Sequence, residues 1–300
     1  MPILDAHTHI FPSEEAGRKA MRDVTPTGYW GASRDLLALM EKAGITGAVV
    51  VGTLPIRNMI IAAEQRLATD PSSDTADRAR AELSTKMEQR LDRLNRFLCT
   101  ESAAHPQFIP FVAANPWLDP DRMLALLEEA RALGARGLKL HPPLCRFYPM
   151  DERLAPVYSW AQQKGLPVLF HGGRSPESPD THFSHPRHFE PLAAAYPRLR
   201  IIVAHLGWDF FDDAIMVSRR CERVYFDTSF AMSAASSPAI LDDAEAVDLI
   251  RKIGVHKTVF ASDYPWSNPV EDLERIRSIG LTEAELERIL WNNGQEVLNA

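Results

Sequence analysis

Six histidine and aspartate positions, spread along the chain, are of the types that bind metal ions or move protons. Near the N-terminus, Asp5-Ala6-His7-Thr8-His9 alternates these types with small residues, and in an extended strand Asp5, His7 and His9 point to one side. Two same-side imidazoles can converge on one ion. Neutral nitrogens about 2.0–2.1 Å from it suit Zn²⁺ best, and also Mn²⁺, Fe²⁺ or Co²⁺. A His-x-His pair alone is a weak signal. Three further apolar runs, however, end in the same kind of residue: Val168-Leu169-Phe170-His171-Gly172-Gly173, Ile202-Val203-Ala204-His205-Leu206-Gly207 and Phe260-Ala261-Ser262-Asp263-Tyr264-Pro265. Chance does not readily place such a side chain at the end of four separate apolar runs, so divalent-metal binding is the better reading.

The run Gly137-Leu138-Lys139-Leu140-His141-Pro142 adds a lysine and another histidine. An ammonium facing such a cluster can pair with Asp263 or another carboxylate, hold a substrate carboxylate, or be carbamylated and bridge two metals. His141, two residues on, is expected to close the mouth, touching substrate or hydrogen-bonded in the wall. A cation at the cluster lowers the pKa of a bound water from 15.7 toward about 7. Asp263 can then accept its proton while His205, across the site, polarises a carbonyl. Hydrolysis of a small amide, ester or lactone is the expectation. The alternative is non-oxidative decarboxylation of a small unsaturated or aromatic carboxylic acid, with Arg174 or Arg57 as the cation for its carboxylate. Trp117, Trp208, Tyr264 and Trp266 follow the same runs and offer a flat apolar wall or ordinary core.

Eight apolar runs can position these groups: 3–10, 46–52, 108–115, 136–142, 167–172, 200–206, 224–230 and 258–264. Helical patterns lie between them, at 33–43, 120–133, 154–164, 185–196, 211–222 and 244–253. Strands this apolar are covered on both faces, and eight strand-then-helix repeats predict a (β/α)₈ TIM barrel forming one domain over residues 1–300. Residues 53–107 break the rhythm as a helical insertion after the second strand. Within it, Asp70–Asp77 reads as a polar linker, and Leu83, Met87, Leu91, Leu94 and Leu98 mark one apolar helix face. That face is expected on the barrel wall, with a lid or an oligomer contact as alternatives. Gly173–Ser184, rich in Pro and Ser, is expected to be a mobile loop at the mouth.

Composition narrows the class. Hydrophobic residues make up 45% and charged residues 24% of 300 residues, so disorder is excluded. A net charge of −7 without a basic stripe argues against a nucleic-acid partner and for a small-molecule substrate. The sequence has neither a membrane-length apolar run nor signal-peptide features, so a cytoplasmic protein, monomeric or homo-oligomeric, is expected. Cys99, Cys145 and Cys221 match no metal-site spacing and should be buried thiols.

These motifs resemble those of the amidohydrolase superfamily, within it the amidohydrolase-related branch that includes aminocarboxymuconate-semialdehyde decarboxylase. The matching pieces are DAHTHI, GLKLHPP, LFHGG, VAHLG, FASDYPW and the closing ILWNNGQEVL, in order over nearly the whole chain. The resemblance implies His7 and His9 as ligands from the first strand, His171 from the fifth and Asp263 from the eighth. It implies His205 as a catalytic histidine in a one-metal site or a ligand in a two-metal site. Lys139 stands on the strand where two-metal members carry a carbamylated lysine, although this branch is usually mononuclear.

Overall fold

A computed structural model describes residues 1–67, 73–175, 180–233 and 240–299. Eight strands form one parallel sheet in sequence order: β1 (Leu4–His9), β2 (Gly47–Val51), β3 (Phe108–Ala113), β4 (Gly137–Leu140), β5 (Val168–Phe170), β6 (Ile201–Val203), β7 (Val224–Asp227) and β8 (Thr258–Val259). The chain after β8 returns to β1. Ala6 donates its N–H to Phe260 and Asp263 donates to His7, each at 2.9 Å, so the sheet closes into a (β/α)₈ barrel.

Alternation sorts the side chains. Leu138, Leu140, Val168, Phe170, Ile201 and Val203 face outward into the layer packed against the helices. Val49, Val51, Phe111, Leu169, Ile202 and Val259 fill the interior, where Val297 and Leu298 from the C-terminal helix (Asn293–Asn299) join them as a plug. Lys139, between two outward leucines, must therefore point inward.

β1 departs from this rule. Leu4 and Ala6 belong to the interior cluster, so strict alternation would turn His7 and His9 outward. The pairing with β2 shifts instead: Asp5 sits opposite Ala48 and Thr8 opposite Val50, three steps against two. This bulge supplies the residue that swaps the faces, and both imidazoles turn inward above Leu4 and Ala6. The expected grouping of Asp5 with the two histidines is corrected accordingly. Asp5 accepts bonds from the N–H and hydroxyl of Ser262 at 3.0 and 2.6 Å, anchoring the segment that carries Asp263.

Between β2 and β3 run the helices Ile56–Leu67 and Ser73–Ala104. Ser73–Asp77, expected as linker, are helical, since Ser and Asp suit the start of a helix as well as a loop; Asp70–Ser72 lie outside the described residues. The apolar face of the longer helix packs on the barrel wall, with Met87, Leu91 and Leu98 buried. Asn95 exchanges two hydrogen bonds with the backbone of Ala113, at 2.8 and 3.0 Å. Gly52 has no room for a side chain there, because a Cβ would come within 2.6 Å of Leu94.

All three cysteines are free and buried. Among the described residues no helix is long and apolar enough to cross a membrane.

Candidate active site

The site residues stand at or just beyond the strand ends. His7 and His9 close β1, His141 follows β4 and His171 follows β5. His205 and Asp263 lie further out, in left-handed backbone with φ of 62° and 66°. Outside glycine this conformation is uncommon, and where the surrounding structure holds a residue in it, it often marks a functional position. The turns at the ends of β6 and β8 are what aim these two side chains into the barrel mouth.

Three donor atoms converge. His7 Nε2 and His9 Nε2 are 3.2 Å apart, and Asp263 Oδ1 stands 3.5 and 3.4 Å from them. Donors about 2.0–2.1 Å from a tetrahedral ion are separated by about 3.3–3.4 Å, so this triangle fits a first-row divalent cation with a remaining position open. All three residues are buried. Burial, reinforced by the nearby Lys139 ammonium, holds both imidazoles well below their usual pKa and keeps them neutral, the form that ligates. Burial pushes the Asp263 carboxyl up to about 6, against the opposing pull of His205 and Lys139.

His171 does not join this triangle. Its Nε2 donates to the Arg174 carbonyl at 3.0 Å, and its Nδ1 faces His205 Nε2 at 3.1 Å. The His141 ring stacks on it at 4.2 Å, with Nδ1 accepting from the Leu144 N–H. Lys139 Nζ lies 2.9 Å from His7 Nε2, on the lone pair that a cation would use. The structure thus brings together His7, His9 and Asp263 as one group and His141, His171 and His205 as a second, with Lys139 reaching the first.

All of these line one cavity of about 280 Å³, walled by Trp208, Phe230 and Trp266 and by Met21 and Val24. Of the four aromatics singled out in the sequence, only Trp208 and Trp266 reach it. Tyr264 is buried with its hydroxyl donating to Ala32, and Trp117 lies between the guanidinium groups of Arg57 and Arg153, at 4.1 and 3.8 Å. Neither expected cation lines the cavity. Arg57 is held on Trp117, and the exposed Arg174 reaches Asp209 at 3.3 Å. The loop expected to be mobile is tied at its described ends, since Gly173 N–H donates to the Ser184 carbonyl at 2.8 Å; residues 176–179 lie outside the described residues.

Sequence reasoning missed three residues. Arg22, exposed and in left-handed backbone, is the one arginine among the described lining residues; no motif marks it. Asp227 and Ser229, behind His7 and His205, carried a signal that was there to be used: β7 also ends in a carboxylate.

No curated protein matches the chain. Among solved structures, one similar chain is a dihydroxybenzoic acid decarboxylase from Polaromonas sp. JS666 with bound manganese and the inhibitor 2-nitroresorcinol. Its identity is 18% and its TM-score 0.73, over 99% of this chain and 96% of that one. Another is 5-carboxyvanillate decarboxylase from Sphingomonas paucimobilis, at 16% identity and TM-score 0.67, over 99% and 98% of the two chains. A third, from Pseudomonas putida, is named as a candidate 2-pyrone-4,6-dicarboxylic acid hydrolase, at 18% identity and TM-score 0.64, over 99% and 97%. At such identities the likeness speaks for the fold alone. The family model for amidohydrolases matches residues 4–299, the whole barrel with every residue of the cavity, and the chain belongs to the amidohydrolase family.

Proposed function

We propose that the protein is a metal-dependent, non-oxidative decarboxylase of a small aromatic or unsaturated carboxylic acid. The observation that carries this reading is an ion-sized donor triangle set in a cavity walled by three aromatic rings, with Lys139 and Arg22 as its cations. An engineered cavity of about 150 Å³ accepts benzene, so about 280 Å³ suits a single ring bearing a carboxylate and one or two oxygens. Two of the similar chains are named as decarboxylases of such acids. Decarboxylases outnumber hydrolases among the similar structures, which favours this reading, so the order expected from sequence is reversed.

His7, His9 and Asp263 would hold the divalent ion; His171, the ligand expected after β5, would join only after a change of side-chain position. Zn²⁺ and Mn²⁺ both suit these donors. When bound, the ion supplies positive charge that orients and polarises the acid's oxygens. The aromatic wall stacks on the ring, and Arg22 and Lys139 offset the carboxylate charge. Decarboxylation exchanges the carboxylate for a proton on the same carbon. Outside the donor triangle, the groups with exchangeable protons that face the cavity include His205, His141, His171 and Lys139. One of them protonates the ring carbon. The electron pair of the bond to carbon dioxide then returns to the ring as the gas leaves.

The test is a panel of hydroxybenzoates, unsaturated dicarboxylic acids and lactones, incubated with Mn²⁺- or Zn²⁺-loaded protein while carbon dioxide is monitored. Release of one carbon dioxide per substrate consumed supports the reading. Turnover confined to lactones, without carbon dioxide, would return the assignment to hydrolysis.

A further inference from the structure

We infer that Asp227, directly and through Ser229, is a positioning residue that fixes a proton on Nδ1 of both His7 and His205 and so leaves the Nε2 of His7 bare toward the cavity. The inference builds on the metal reading above but concerns groups that touch neither the ion nor the substrate.

Asp227 ends β7, fully buried. Its two oxygens have separate partners. Oδ1 lies 2.9 Å from the His205 N–H, 3.1 Å from the Ser229 N–H and 2.5 Å from the Ser229 hydroxyl; Oδ2 lies 3.2 Å from His7 Nδ1. Backbone N–H groups only donate, so the Oδ1 side must accept. The single proton of Ser229 goes to the same oxygen. Its Oγ is then left to accept from the two groups still in reach, His205 Nδ1 at 2.9 Å and His7 Nδ1 at 3.2 Å. Every neighbour of the two Nδ1 atoms is thus an acceptor. The Ser229 carbonyl, 3.0 Å from His205 Nδ1, makes the same demand.

The opposite end of the His7 ring agrees. His7 Nε2 faces Lys139 Nζ at 2.9 Å, and an ammonium can only donate. His9 provides the contrast. Among the described residues its buried Nδ1 has no hydrogen-bond partner, so no carboxylate holds the far side of that ring as Asp227 holds that of His7. One carboxylate on β7 therefore aligns a candidate ligand from β1 and a candidate proton carrier after β6.

Asp227→Asn reverses this at constant size. The two backbone N–H groups keep the amide oxygen on their side, so the amide nitrogen faces His7 Nδ1 and donates. His7 must then carry its proton on Nε2, where a cation needs a lone pair. Partners of this kind typically contribute 10- to 100-fold in metal affinity.

The experiment is nitrogen-15 spectroscopy of histidine-labelled, metal-free protein, which assigns each ring's proton, together with Mn²⁺ titration of wild type, Asp227→Asn and Ser229→Ala. Expected are Nδ1-protonated His7 and His205 in wild type. In Asp227→Asn, His7 should move to the Nε2-protonated form and the Mn²⁺ Kd should rise 10- to 100-fold. Ser229→Ala, which leaves Asp227 on His7, should shift Kd by less than about threefold. Wild-type His7 protonated at Nε2, read without any variant, overturns the inference. So does Asp227→Asn that folds and binds Mn²⁺ as wild type does. A wild-type protein that takes up no Mn²⁺ sinks the metal reading instead, and the imidazole spectra then decide the hydrogen-bond assignment alone.

Discussion

His9 has one task in this site, to complete the triangle with His7 and Asp263, and its Nδ1 holds nothing else in place. His9→Ala should therefore lose most of the bound metal while the melting temperature of metal-free protein stays within a few degrees; full metal content by elemental analysis would remove His9 from the ligand set. His205→Asn should keep the metal and lose activity by about two to four powers of ten, the range for a proton-transfer group. Metal loss in that variant would make His205 a ligand. Lys139 decides the number of ions. An unmodified ammonium predicts that Lys139→Met keeps one equivalent and raises KM for acidic substrates. Saturation of wild type at two equivalents with dependence on bicarbonate would show a carbamate instead. Most of these residues were legible because a polar group ending an apolar run stands out. Arg22 was not, because nothing in its neighbours announces the left-handed turn that carries it to the mouth. Arg57 and Arg174 misled because position after a strand does not say where a long side chain finds a partner, here Trp117 and Asp209.

At the scale of elements, the helix Ser73–Ala104 is fastened to the barrel by Asn95, which makes two hydrogen bonds to the backbone of Ala113 at the end of β3. Asn95→Leu leaves a buried donor and a buried acceptor unmet, and should cost about 2–4 kcal/mol. Urea unfolding that shows less than about 0.5 kcal/mol would mean the helix does not depend on this bond pair. The strands and most helices could be read from apolar runs and 3.6-residue periodicity, and Ser33–Ala43 matches its expected bounds. The bulge in β1 could not. Period-two reasoning presumes an unbroken strand, and whether three residues of β1 face two of β2 is set by closure of the barrel rather than by the residues themselves. That one irregularity turns both imidazoles toward the barrel interior, where period-two alternation from Leu4 and Ala6 alone would not place them.

Across the whole molecule, the site joins the two ends of the chain. His7 meets Asp227 across 220 positions, and Asp5 meets Ser262 across 257. Contacts so distant in sequence form late and slowly in folding. On dilution from urea into buffer containing Mn²⁺, ion uptake should lag behind recovery of helical circular dichroism; simultaneous recovery would mean that β1 holds the ion without β7 and β8. The same closure bears on synthesis. The His-x-His pair leaves the ribosome long before its carboxylate partner Asp263, so through that interval the two imidazoles stand without the group that completes the triangle. A nascent chain can offer any passing metal only two of the three donors. The choice of ion is thereby deferred to the finished barrel, and which metal the protein carries becomes a property of the compartment and moment in which its last strand docks.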